Sequence, residues 1–509
     1  MIHGAPHRSS ARRFRGAPLR PGGVLLAVVA LFAGNLGGPA GASAGVRSGA
    51  QKSYLMVSDG AASKVYFYRV PDMQLTGQLS GVTLGSSADP AATPMHGGAI
   101  ALPDGRIIVN DETHQRTLAI KLDADGAPHI VQSVASTLGG EAPWTAVDPS
   151  FRYYAVASNG AGARGLAPAA GAFQTGTEFL NLIDLKTFEN TRLEIALNNT
   201  GEDLTPLFGA KPLALFAGVG GGELRAYRVS RLLKGDTTPV SSTVMGPNSH
   251  GGFSSPVTGK VGITTGPQPP TLGSGPSATP NPDNLGMNVF DIACNHGAVG
   301  CSTPALSNPF VVAWNADGLT LSKGNRVRVM ADGAHVLTPL NVDLTPGIAE
   351  DWQDVRLDAH ITDLQTNTAR RVTVGMGASS RGFPVSETYA VEPVIRPRAA
   401  GASDQLKVID IRPDSATYLQ VVRSVDLPQM SHGPVASVSP TFPTYERRFA
   451  AITPDGGYAF VSRGGDGVID MIDTSTGARS EVAIATALSG GGHIDAFQVG
   501  YTPFELSGR

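Results

Sequence analysis

The chain has 509 residues, with 39 Lys and Arg against 42 Asp and Glu, a formal net charge of −3 and 16% charged residues. A near-neutral chain with no basic patch interleaved with aromatics speaks against nucleic acid as the partner. Abundant glycine (63 residues) and the absence of long helical periodicity speak against a helix-built fold. The first predicted element is a leader. A basic stretch, HRSSARRFRGAPLR (7–20), precedes an apolar run, VLLAVVALFAG (24–34), and a small-residue segment with ASA at 42–44, the order of a secretory signal peptide. The run falls short of the roughly twenty apolar residues that span a bilayer. Residues 1–44 are therefore expected to be removed, leaving a secreted or periplasmic protein without a transmembrane segment; an uncleaved anchor is the alternative. Arg12-Arg13 hints at a twin-arginine route.

Residues 45–509 read as short strands punctuated by turns, in one domain. SYLMVSDGAASKVYFYRV (53–70), GGAIALPDGRIIVNDETHQRTLAIKLDADG (97–126) and APWTAVDPSFRYYAVASNG (142–160) each give strand, turn, strand. FLNLIDL (179–185), LALFAGVGGGELRAYRV (213–229), GMNVFDIA (286–293), FVVAWNADGLTL (310–321) and QLKVIDIRP (405–413) are further strand signals. The cleanest unit is RRFAAITPDGGYAFVSRGGDGVIDMIDTSTGA (447–478). Alternation bounded by Asp-Gly and Gly-rich turns marks antiparallel hairpins. A four-stranded unit every fifty residues or so cannot bury both faces alone, so such units stack radially into a β-propeller. The length allows seven to nine units, and seven four-stranded blades are expected once insertions are discounted. Two segments are read as excursions: the Pro/Gly/Ser-rich stretch 264–284, and the acidic stretch LTPGIAEDWQDVRLDAHITD (344–363).

The segment AAITPDGGYAFVSRGGDGVIDMIDTSTG (450–477) resembles the repeat of YVTN-type bacterial β-propellers, whose units run apolar strand, Pro-Asp-Gly, YAFVS, then Val-Ile-Asp. Asp184 and Asp410 occupy the Val-Ile-Asp place in two other units. The resemblance implies a fold and an exported location. It implies no activity.

Nine histidines follow the leader, and His96, His250, His296 and His432 are each followed by glycine, where about one such pair is expected at this glycine content. His96, His250, His432 and His493 each open what reads as an innermost strand. Residues at one strand position in different blades converge on one mouth of the channel, and three or four imidazoles there would suit zinc or another divalent transition metal. A structural role in turn formation is the alternative for any single one. Glu141, in GGEAPW, is a candidate fifth ligand. His296 falls between Cys294 and Cys301, which are expected to form a disulfide in an oxidising compartment. His114, His129, His335 and His360 are read as surface or strand residues. The stretch ATPMHGGAIALPDGRIIV (92–109) also resembles periplasmic zinc chaperones of zinc ABC importers, which implies metal binding with His96 as the matched ligand.

Two other readings stand beside the metal-binding protein. A propeller hydrolase or lactonase would hold calcium through oxygen ligands, with Asp59, Asn110, Glu141 and Asn159 as candidates. No GxSxG elbow occurs. A non-catalytic platform would bind other proteins through its faces.

Overall fold

Ser53–Asp59 (SYLMVSD) and Lys64–Val70 (KVYFYRV) show why these segments become strands. Both are runs of β-branched and aromatic residues split by a turn, and they pair antiparallel from Ser53↔Val70 to Asp59↔Lys64. The computed structural model describes residues 52–60, 62–84, 99–138, 144–157, 177–196, 204–209, 214–219, 223–244, 251–265, 286–292, 306–314, 320–323, 327–343, 355–379, 383–395, 403–431, 448–488 and 492–508.

These residues form eight sheets that stack as the blades of a propeller. Blade 1 runs outward as Gly492–Gln498, Ser53–Asp59, Lys64–Val70 and Gln74–Ser80, so the last long strand of the chain closes the first blade. The next blades start at their innermost strands: Ile100–Ala101 in blade 2, Thr145–Val147 in blade 3, Leu204–Phe208 in blade 4 and Gly252–Ser254 in blade 5. Blade 6 has its inner edge broken into Thr320–Lys323 and Arg328–Val329, both paired with His335–Asp343. Blades 7 and 8 start at Ala378–Ser379 and Ala450–Ile452.

The core repeats with the blades. Ser53–Asp59 sends Leu55 and Val57 into a cluster with Phe449 and Phe460 of blade 8, and Tyr54 and Met56 into a cluster with Ile107 and Val109 of blade 2. Eight such clusters, one at each junction between neighbouring blades, close the ring among the described residues. Because both faces of a middle strand are covered, each fully buried Leu, Val or Phe contributes about 1.5–3 kcal/mol. The turns follow from sequence as well: in Pro454-Asp455-Gly456, Gly456 sits at φ 78°, a conformation that favours glycine.

The count of eight corrects the expectation of seven blades. Two complete blades lie between Gly252 and Met376, where the sequence hides its period. In blade 5 the Pro/Gly-rich stretch separates Lys260–Thr265 from Gly286–Ile292, which pair directly. In blade 6 the acidic stretch read as an excursion ends in a core strand, Val355–Asp363, with Leu357, Ala359 and Ile361 buried. Asp358 is buried there because Arg356 holds it through two hydrogen bonds of 2.8 and 2.7 Å.

Candidate functional site

The innermost strands are short and rich in small residues, as crowding at an axis requires, and they enclose an axial cavity of about 220 Å³. We call upper the end where these strands begin and lower the end where they finish. Ile100, Val385, Ile452 and Phe497 give the cavity apolar walls.

His493 lies in the innermost strand of blade 1, near its start and opposite Ser58, and it lines the cavity as expected. Residues two apart in a strand share a face, so Asp495 stands beside it, with His493 Nε2 3.1 Å from Asp495 Oδ2. That contact is within ion-pair range, but its angle is off the hydrogen-bonding direction. Both ring nitrogens and Asp495 Oδ2 are buried and make no hydrogen bond. The ring meets Phe449 edge-on, centroids 5.8 Å apart, and the side chain is only 15% exposed. An imidazole and a carboxylate with unsatisfied lone pairs on one wall form a donor set that suits a divalent transition metal.

His96, His250, His432 and Glu141 lie outside the described residues, as do Asn159, His296, Cys294 and Cys301. The expected disulfide therefore has neither cysteine among the described residues. By chain position His96 stands four residues ahead of Ile100, His250 two ahead of Gly252 and Glu141 four ahead of Thr145, whereas His432 stands eighteen ahead of Ala450. No group of three or more His, Cys, Asp or Glu side chains able to hold a metal occurs among the described residues.

The calcium candidates that are described have structural work. Asp59 accepts from Ala62 N at 3.0 Å and from the Thr486 hydroxyl, tying blade 1 to the end of blade 8. Asn110 donates to Tyr154 Oη at 2.7 Å and accepts from Thr117 Oγ1 at 3.0 Å. The other histidines also sit in local structure. His114 contacts Asp111 at 2.9 Å, His129 is exposed beside Asp123, and His360 packs against Trp314. His335 Nδ1 lies 2.6 Å from Asp332 Oδ2, and that carboxylate raises the imidazole above its usual value.

The lower end was not foreseen. After Gln498 the chain crosses the axis, and Ser507–Gly508 pairs with the inner edge of blade 3 at Ala146 and Thr145. Leu506 enters the core between blades 2 and 3, and its carbonyl accepts from Val147 N at 2.8 Å. Glu505 pairs with Arg328 Nη1 of blade 6 at 3.1 Å; burial raises its pKa and Arg328 opposes the rise. Tyr501, on the same crossing, has its phenol raised by burial and by the neighbouring Glu387 carboxylate. The alternation His493-x-Asp495 was available in the sequence as a sign of a shared wall. Nothing local marked Arg328 or Glu505, because their meeting depends on ring closure.

Among the described residues no helix is long and apolar enough to cross a membrane. No family model matches the sequence, so the YVTN-type likeness rests on the residues quoted for it. No curated protein matches it either. Solved structures do match in shape. The apo form of AztD from Citrobacter koseri aligns over 88% of this chain and 99% of its own at 11% identity, with a TM-score of 0.52. A second structure of Citrobacter koseri AztD covers 88% and 98% at 11% identity, with a TM-score of 0.50. The dihydro-heme d1 dehydrogenase NirN in complex with DHE covers 88% and 75% at 13% identity, with a TM-score of 0.46. At these identities the likeness is one of fold, and the chain is a β-propeller.

Proposed function

We propose that this is an exported binding protein that holds a divalent transition metal, zinc foremost, at the upper mouth of its axial channel. His493 and Asp495 are the described ligands, His96 and His432, with Glu141, complete the set, and His250, which precedes the innermost strand of blade 5, is the outlying candidate. The observation that carries the reading is the pair of unpartnered nitrogens on His493 beside the unpartnered Asp495 Oδ2. A buried polar atom without a partner costs about 1–3 kcal/mol, and a cation bound to one ring nitrogen and to Asp495 Oδ2 relieves that cost at two atoms together, the other ring nitrogen being the N–H donor. The resemblance of 92–109 to periplasmic zinc chaperones supports the same reading through His96. The protein's part is to present imidazole and carboxyl donors side by side on one wall of the cavity. Metal capture and release need no reaction step.

Elemental analysis of the purified full chain before and after chelation tests this. The expected result is zinc or copper at about one per chain, removed by chelator, restored on titration, and lost both in His493→Ala and in the His96→Ala/His432→Ala double variant. Retention of calcium alone, together with ester or lactone turnover, replaces this reading with the hydrolase. Failure to take up any metal on titration overturns it in favour of an interaction platform.

A further inference from the structure

Two unpartnered atoms at the lower end of the cavity belong neither to the metal reading nor to the pairing of the fold. Arg328 Nε and Ser507 Oγ are both buried and make no hydrogen bond. Arg328 comes from the innermost strand of blade 6 and Ser507 from the segment that crosses the axis, and both line the cavity. Glu505 and Ser507 are two apart in an extended stretch and face the cavity, while Leu506 between them faces the core. Glu505 occupies the Nη1 side of the guanidinium, which leaves the Nε edge for a second acceptor. Arg Nε–H can only donate, and a serine hydroxyl can donate beside it. What both lack is an oxygen acceptor. Ile100, Val385 and Ile452 give the same cavity its apolar wall.

We propose that the floor of the axial cavity binds the carboxylate of a small organic acid, accepting from Arg328 Nε and Ser507 Oγ, with the acid's apolar body against Ile100, Val385 and Ile452. Charge-assisted donation from a guanidinium to a carboxylate is among the strongest of such contacts. Glu505 is already paired with Arg328, and burial, which raises its pKa, eases the approach of a second carboxylate. The other carboxylate on the cavity, Asp495, is the middle residue of Gly492–Gln498 and lies within ion-pair range of His493. The proposal does not rest on the metal reading, since its donors, Arg328 Nε and Ser507 Oγ, are not among the metal ligands proposed above.

The test is calorimetric titration of the full chain, in chelator, with 4-methylpentanoate and with its amide as the uncharged isostere. The acid is expected to bind saturably and the amide about tenfold more weakly or worse. Ser507→Ala and Arg328→Lys are each expected to weaken the acid, and His493→Ala to leave it unchanged, which separates this site from the metal site. Because Arg328→Gln alone strands Glu505, the Arg328→Gln/Glu505→Gln double variant, matched to wild type by thermal melt, serves as the second check and is expected to lose the acid. Trileucine titrated in parallel shows whether a free acid or a peptide C-terminus is the better source of the group. Equal binding of acid and amide, or unchanged binding of the acid in the double variant, overturns the proposal, as does the absence of saturable binding by acid and peptide alike.

Discussion

Aspartates at the ends of third strands do the same job in blade after blade. Asp123, Asp184, Asp363, Asp410 and Asp473 each accept backbone N–H groups of the turn that leads to the outermost strand. Such side-chain-to-backbone bonds fix a turn without help from the sheet. Asp410 is the strongest case. Burial pushes its pKa up, but hydrogen bonds from Arg412, Ser415 and Thr417 outweigh that and hold it well below the usual carboxylate range. Asp410→Ala is expected to lower unfolding stability by about 2 kcal/mol, read by denaturant titration. A depressed native pKa stabilises the fold above the ordinary carboxylate value and stops doing so as pH falls through the native one. Wild type is therefore expected to lose stability below about pH 4 more steeply than Asp410→Asn does. An identical slope in the two proteins removes Asp410 from the acid limb.

At the level of strands, the segment crossing the axis is the element with the clearest separable role. Deleting 501–509 removes Leu506 from its cluster, the pairing on blade 3 and the partner of Arg328, yet it leaves all eight blades four-stranded. We expect a protein that still unfolds cooperatively but is destabilised by about 3 kcal/mol. Deleting 490–509 also removes Gly492–Gln498, strips blade 1 of its innermost strand and breaks the closure of the ring. That variant is expected to lose cooperative unfolding. If both truncations melt alike, the closure is not what holds the ring. The same scale shows what could be read in advance. Blade 8 was legible strand by strand, because Pro454-Asp455-Gly456 and Thr474–Gly477 punctuate uninterrupted alternation. The Val-Ile-Asp place was visible at Asp184 and Asp410 but not at Asp123 or Asp363, since the turn needs the carboxylate and not the residues before it. Blade 6 was illegible for a different reason. Val355–Asp363 carries charges whose neutralisation, Asp358 by Arg356 and more loosely by Arg371, is a property of the folded sheet.

For the whole molecule, eight blades change what the histidines can do together. By chain order His432 precedes the innermost strand of blade 8, His493 lies in that of blade 1, and His96 precedes that of blade 2. Blades 8, 1 and 2 are neighbours on one arc. His250 precedes blade 5, half a turn from blade 1 in a ring of eight. Bonds of about 2 Å from each ligand to one ion require the ligands to crowd together, which favours the arc over the diameter. Under the metal reading, His96→Ala, His432→Ala and His493→Ala are each expected to weaken zinc binding about tenfold or more, and His250→Ala less than about threefold. Competition with a chromophoric chelator measures all four on one scale. A loss at His250 equal to the others would mean that the ligands gather from around the whole axis. In that case His250 must reach across the channel, and the site belongs over its centre and not against the wall that carries Asp495.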